Sequence, residues 1–162
     1  MQCCLSRGVT ANVADELQEK LLNIRLVLPS CEEALLVTSD GEVRAEWRRD
    51  ESDPKPPQHL LSLLLSLRRA SSKMSSTLQQ KHASLIRITG AHTTVLVASA
   101  GADQLVVFLP STAEDARRLA EADAGDECRI ALDNLCDELR LVSQSMQIGG
   151  MPLHREDSKG RL

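Results

Sequence analysis

Few residues of this sequence stand at spacings that catalysis or metal binding requires. The four histidines are far apart in the chain, which argues against a general base or a metal site: His59, His82, His92 and His154. Glu32 and Glu33 are adjacent in a predicted strand, where neighbouring side chains face opposite sides of the sheet. Motifs of nucleotide-binding glycine loops and of zinc proteases are absent from the sequence. The sequence therefore predicts a protein that is not an enzyme and holds no metal or cofactor.

The five cysteines suggest two different roles. They are Cys3, Cys4, Cys31, Cys128 and Cys136. No C-x-x-C pair occurs, so a zinc site is not predicted. Cys31, Cys128 and Cys136 lie among apolar residues and are expected to act as small core side chains. A hydrolase that uses Cys31 or a serine is a further alternative, because the residues of a catalytic triad come together only in the folded chain. Cys3 and Cys4, which are adjacent, are candidate lipidation sites; the alternative is that they are two thiols in an unstructured N-terminal segment.

Composition excludes several classes of partner. Of the 162 residues, 42% are hydrophobic and 26% charged, enough to form a core, but only Trp47 and Phe108 are aromatic. Two aromatic residues are too few for the stacking surfaces on which proteins bind single-stranded nucleic acids. The net charge of −4 also argues against the basic surface of a duplex-binding domain. No apolar run is long enough to span a bilayer. We expect a cytoplasmic protein, located at the cytosolic face of a membrane only if Cys3 and Cys4 are acylated.

The spacing of apolar residues predicts the elements. A helix capped by Asn12 and ended by Pro29 precedes a hairpin, in which Val43, Ala45 and Trp47 are expected to share one face. A proline-rich loop, 49–57, then precedes a long helix and a three-stranded meander. The predicted ranges are helix 13–28, strands 33–38 and 43–48, helix 58–80, strands 84–89, 93–99 and 104–109, and a last helical region 112–142 that pauses near Gly125. Residues 1–10 and 143–162 are expected to be flexible, leaving 11–142 as one domain.

The long helix carries more leucine than one core can hide. Six of the eight residues from Leu60 to Leu67 are leucines, and they cover an arc of roughly 200°, about twice the stripe that faces one core. Positions 60, 64, 67, 71, 74 and 78 also follow the 4-3-4-3-4 spacing of paired helices. We therefore expect a second chain against this helix. The alternatives are a deep core within one chain, completed by the loop 49–57, and a helix that lies on a membrane.

Two segments carry a family resemblance. Residues 31–43, CEEALLVTSDGEV, resemble the first hairpin of the Roadblock family of dynein light chains and small-GTPase regulators, in which an E-A-L-L-V-S-x-D-G turn is usual. Residues 85–97, LIRITGAHTTVLV, are similar to a hairpin of Ragulator-type members. The leucine-rich helix stands where that family has its dimerising helix. The loop 52–57, the break at Gly125 and the tail 143–162 depart from the family pattern.

The resemblance implies a fold and a function. The fold class is α+β, a profilin-like sandwich whose five-stranded antiparallel sheet carries one long helix on one face and two helices on the other. Two chains, identical or paralogous, would join their long helices and third strands into a ten-stranded platform for a small GTPase or a motor or signalling complex. The implied interface residues are Leu60, Leu61, Leu64, Leu65, Arg68, Lys73, Leu85, Arg87 and Thr89. The alternative function is a GAF- or profilin-like sensor that encloses a small ligand.

Overall fold

The computed structural model describes residues 6–78, 85–121 and 126–148 of the chain. Within these ranges, helices and strands follow one another in the predicted order, and the strands agree with the predicted ranges to within one residue at each end. The elements are α1 (Ser6–Leu21), α2 (Ile24–Val27), β1 (Glu33–Val37), β2 (Val43–Arg48), α3 (Gln58–Thr77), β3 (Leu85–Thr89), β4 (Thr93–Ala100), β5 (Asp103–Pro110), α4 (Glu114–Glu121) and α5 (Glu127–Ile148).

The strands form one antiparallel sheet in the order β2-β1-β5-β4-β3. Helix α3 packs on one face, while α1, α2, α4 and α5 contribute to the core on the other. The predicted fold class is therefore confirmed, and the two predicted helices of the second face are each divided into two segments. Within the described residues, β2 and β3 are the two edges of the sheet.

The larger core lies between the sheet and the four helical segments of the second face. Leu17 of α1 and Leu139 of α5 are fully enclosed there, together with Leu36 and Leu105 from the central strands. Alternation along β1 sends Ala34 and Leu36 to this face and the intervening residues to the face of α3. Because β1, β5 and β4 are covered on both faces, they consist mainly of apolar residues, with most of the polar ones near the strand ends.

The first helix differs from its prediction at both ends. It begins at Ser6 rather than Val13, since no proline interrupts residues 6–12, and Asn12 lies inside the helix instead of capping it. A turn at 22–23 separates α1 from α2. Leu28 then has an extended backbone, with φ −128° and ψ 86°, as expected of a residue that precedes a proline. Cys3 and Cys4 lie outside the described residues.

The last helix extends further than predicted. Asp126 ends the pause near Gly125, because its Oδ1 accepts a hydrogen bond of 2.8 Å from the N–H of Cys128 and so caps α5. The helix continues to Ile148, so residues 143–148, which the sequence suggested to be flexible, are helical. Ser143 is buried there and donates a 3.0 Å hydrogen bond to Asp103 Oδ2. Residues 149–162 lie outside the described residues.

A bulge in β2 changes which way its side chains face. Leu36 pairs with Ala45, but the next residue, Val37, pairs with Val43, so Arg44 is an extra residue in the strand. The predicted sharing of one face by Val43, Ala45 and Trp47 is therefore wrong at Val43, which is exposed. The bulge directs Arg44 towards the second face, where its Nη1 lies 3.6 Å from Asp103 Oδ2.

Candidate functional site

Helix α3 is held against the sheet by three leucines. Leu61, Leu64 and Leu65 are 3%, 3% and 7% exposed. They form a compact cluster with side chains from the central strands: Leu35, Val37, Val97 and Val106. Leucine is a strong helix former, and the hydroxyls of Ser62 and Ser66 donate to carbonyls one turn earlier in the same helix. These two serines therefore find their hydrogen-bond partners within the helix while the leucines pack against the sheet.

Two polar contacts fix the rotation of α3 about its axis. Gln58 Nε2 donates to the carbonyl of Gly41 at 3.4 Å, and Arg69 Nη2 donates to the carbonyl of Ser39 at 2.6 Å. Both acceptors belong to the turn between β1 and β2, where Gly41 has a φ of +90° that favours glycine. The turn predicted from Ser39-Asp40-Gly41 thus also anchors one side of the helix, and this anchoring decides which leucines face outward.

The outward side of α3 carries a second apolar stripe. Its members lie within an arc of roughly 60°, centred roughly 120° away from the buried leucines. We name Leu63, Leu67 and Met74, together with Leu78 directly after the helix, the outer stripe; they are 63%, 42%, 65% and 63% exposed. A helix of a monomeric domain ordinarily buries a single apolar stripe. Helix α3 therefore has one apolar face filled by its own chain and another left in solvent.

The two edges of the sheet differ in accessibility. At β2, the side chain of Gln18 occupies the edge: its Nε2 donates to the carbonyl of Glu46, and its Oε1 accepts from the N–H of Glu46 at 3.2 Å. At β3, the described residues provide pairing only from β4. Ile88 of β3 points to the same face of the sheet as α3 and is 38% exposed. An open strand edge and the outer stripe therefore belong to the same face of the molecule.

The predicted interface residues divide into an inward and an outward group. The structure brings all nine to α3 and β3, but Leu61, Leu64 and Leu65 are enclosed by their own chain and do not offer surface to a partner. Arg68 is also buried, and its desolvation lowers the pKa of the guanidinium. Leu60 and Leu85 are half-buried, while the exposed members are Lys73, Arg87 and Thr89.

Sequence reasoning did not single out Leu63 or Ile88, which are exposed. Leu63 lay within the leucine run, but the paired-helix spacing favoured Leu60 and Leu64 in its place. A broad apolar arc indicates more apolar surface than one core covers. It does not show which part of the arc faces the sheet. That choice depends on Arg69 reaching Ser39, a contact between residues thirty positions apart.

The loop 49–57 does not cover the outer stripe. It is held beside β2 instead: Arg48 Nη2 donates to the carbonyl of Asp53, and Lys55 Nζ lies 3.2 Å from Glu46 Oε1. This arrangement argues against the alternative in which the loop completes a core around the whole leucine-rich helix. Within residues 6–78, 85–121 and 126–148, the outer stripe therefore stays exposed.

The buried thiols are poorly suited to catalysis. Burial raises the pKa of Cys31 to about 12 and that of Cys136 to about 12. Cys31 Sγ also donates to the carbonyl of Glu33 at 3.3 Å. Both thiols are therefore protonated at neutral pH, and the thiolate that a cysteine nucleophile needs is not formed. Among the described residues, no group of three or more metal-ligating side chains converges.

Two cavities within the described ranges are shallow and open to the surface. One of about 480 Å³ is lined by Gln18, Glu46, Arg48, Glu51 and Lys55. Another of about 250 Å³ lies between α2 and α5, beside Cys128 and Asp115. A small-molecule sensor would instead need an enclosed, mainly apolar pocket. The apolar surplus of this chain lies on the outer stripe, which favours an adaptor over a sensor.

No helix in residues 6–78, 85–121 and 126–148 is long and apolar enough to cross a membrane. No model of a known protein family matches the sequence, and neither does any curated protein.

Solved structures do resemble the fold. A structure of MglB with a tetrameric arrangement is similar at a TM-score of 0.64 and 20% identity, over 82% of this chain and 91% of that one. The gliding protein MglB from Thermus thermophilus is similar at 0.60 and 20% identity, over 84% and 92%. A Roadblock/LC7 domain from Streptomyces avermitilis matches at 0.49 and 17% identity, over 82% and 95%. The chain shares the fold of these MglB structures, and the predicted resemblance to Roadblock proteins is confirmed at the level of the fold.

Proposed function

We propose that this chain is a non-enzymatic adaptor that works as a dimer, paired with a second copy or a paralogous subunit through the outer stripe and β3. The observation that carries the proposal is the two-faced apolar character of α3. Its inward leucines complete the core of the chain, while Leu63, Leu67, Met74 and Leu78 stay 42% to 65% exposed. The outward leucines have no role in the fold of one chain, so a partner surface explains them.

The energetic argument concerns the outer stripe as a patch. Burying one leucine side chain stabilises a complex by about 1.5–3 kcal/mol relative to leaving it exposed. Together with Ile88, the stripe forms an apolar patch on the order of several hundred Å², a size that marks interaction sites in soluble proteins. A symmetric dimer buries this patch twice, because the same surface is contributed by both chains.

The edge of β3 supplies a second component of the interface. An unpaired strand edge presents backbone N–H and C=O groups that can hydrogen-bond to another strand. Pairing β3 with β3 of a partner would join two five-stranded sheets into one of ten strands. Leu85, Arg87 and Thr89 of β3 would then lie at the junction, with Leu60 and Lys73 of α3 beside it. Leu61, Leu64, Leu65 and Arg68 support this surface from within the chain.

The partner class follows from the resemblance to Roadblock regulators. We infer that the paired platform binds a small GTPase, or seats a motor or signalling complex, in the cytoplasm. The fold shared with MglB structures, one of them a gliding protein, supports this inference. The buried, protonated thiols of Cys31 and Cys136 support a binding role over a chemical one. Acylation of Cys3 and Cys4 would place the platform at the cytosolic face of a membrane.

Multi-angle light scattering of the purified chain at micromolar concentration tests the dimer. We expect a mass of about twice the 17.7 kDa of one chain. A titration with purified small GTPases, each loaded with GDP or a GTP analogue, tests the partner. We expect at least one GTPase to bind with an affinity that depends on its nucleotide. A chain that neither dimerises nor binds any of the GTPases contradicts the proposal.

A further inference from the structure

Charge is distributed very unevenly along this chain. The 49 residues from Pro54 to Ala102 contain no aspartate or glutamate. The same segment contains six cations: Lys55, Arg68, Arg69, Lys73, Lys81 and Arg87. A segment of charge +6 is thus part of a chain of net charge −4, and the remaining residues carry −10. This acid-free segment comprises α3, β3 and β4, the elements that present the outer stripe and the open strand edge.

We propose that the α3–β3 surface selects a partner chain of different sequence whose matching surface is acidic, and that pairing with a second copy is the weaker alternative. This inference rests on the proposed function, in which the surface is an interface. A symmetric interface brings the same patch together from both chains. Because every charged residue of α3 and β3 is a cation, these two elements of a second copy offer no carboxylate to the cations of the first.

Exposed cations lie at the margins of the apolar surface. Lys73 immediately precedes Met74 and therefore lies about 100° around the helix from it, on the flank of the outer stripe. Arg87 lies on the edge strand β3, on the opposite face of the sheet from Ile88. Both cations are exposed. Arg69 differs, because it is bonded to the β1–β2 turn, whose Asp40 and Glu42 are also exposed. Lys73 and Arg87 are therefore the side chains that an acidic partner reaches without competition from that turn, and charges at the rim of an interface chiefly decide which partner is accepted.

The same chemistry argues for a protein partner over an anionic lipid surface. The backbone groups along the edge of β3 require hydrogen-bonding partners when they leave water. A strand or helix of another protein supplies such groups, whereas acyl chains do not. A bilayer would cover the leucines and attract the cations but leave this edge unsatisfied. A protein with acidic side chains around an apolar stripe of its own satisfies all three features.

The test uses the full chain and a double variant, Lys73→Glu with Arg87→Glu, whose folding is verified by circular dichroism. Affinities are measured by sedimentation velocity for the wild type alone, the variant alone and their fluorescently labelled mixture. We expect the mixed pair to associate about tenfold more tightly than either self-pair in 50 mM salt. We also expect 500 mM salt to tighten the wild-type self-pair and to loosen the mixed pair. Arg25→Glu in α2, off this surface, is the matched control and is expected to show no preference for the wild type.

Equal affinities for self-pairs and the mixed pair, independent of salt, overturn the charge selection while leaving the proposed interface intact. Absence of association in every mixture and at both salt concentrations overturns the interface as well. Binding to vesicles that contain 30% phosphatidylserine is measured in addition, to test an anionic lipid surface as the partner. Binding of the wild type but not the double variant to these vesicles, without preferential pairing in the mixture, assigns the surface to lipid and overturns the proposal.

Discussion

Replacing Leu63 and Leu67 together by glutamate is expected to convert the dimer into a monomer without unfolding the chain. Both side chains lie on the outer stripe, 63% and 42% exposed in the single chain, so carboxylates at these positions remain hydrated in the monomer. In the dimer they would be buried without partners, which costs several kcal/mol per interface. We expect the dissociation constant to rise more than about 100-fold. Sedimentation velocity measures the mass, and circular dichroism measures the helix content.

The control for this variant is Leu26→Glu. Leu26 is 83% exposed on α2, away from the outer stripe, so the same change of residue there should leave the dimer intact. A double variant that stays dimeric places the interface elsewhere on the molecule. A double variant that loses its helical signal shows that Leu63 and Leu67 support the fold of the single chain.

Replacing Leu61 and Leu65 by alanine is expected to have the opposite effect, a loss of stability within each chain. Both side chains pack against the central strands in the smaller core, and their truncation leaves cavities. Each substitution should lower the free energy of unfolding by about 2–5 kcal/mol. Urea denaturation measures this most clearly in the monomeric Leu63→Glu, Leu67→Glu background, because dimer dissociation then makes no contribution to the measured stability.

The matched control for the core is Leu63→Ala, which removes the same atoms from the outward side of the same helix. We expect it to change the free energy of unfolding of a monomer by less than about 0.5 kcal/mol. Equal losses from Leu61→Ala and Leu63→Ala would show that α3 is rotated relative to the structure. A loss at Leu63 alone would reverse the assignment of the inward and outward faces.

The regular elements were predictable because their signals are local. The alternation of apolar residues and the turn at Ser39-Asp40-Gly41 predict the first hairpin, and Pro57 with the leucines that follow places the start of α3. Element ends were less predictable where a distant contact extends an element. The extension of α5 to Ile148 involves Ser143 bonding to Asp103, forty residues earlier in the chain. The bulge at Arg44 likewise brings that side chain to Asp103, and the local alternation of apolar residues does not reveal a bulge.

The candidate site was only half predictable for a physical reason. The width of the leucine arc on α3 indicated more apolar surface than one core covers, since it spans roughly 200°, and the structure leaves part of that arc exposed. Dividing that arc between sheet and solvent requires the rotation of the helix. Gln58 and Arg69 set this rotation through the carbonyls of Gly41 and Ser39. The acid-free segment from Pro54 to Ala102, in contrast, can be read directly from the sequence, but its meaning depends on the surface that α3 and β3 form together.

The central claim is that α3 of one chain lies beside α3 of another through the outer stripe. Electron–electron distance measurement with one spin label per chain tests it most directly, using Ser66→Cys in a background where Cys3 and Cys4 are serine. Ser66 is exposed beside the stripe, and packed helices lie about 8–10 Å apart. We therefore predict a narrow distance between labels, below roughly 30 Å, and a clearly longer one for Asn134→Cys on the outer side of α5. A short distance at Asn134 with none at Ser66 would contradict the account.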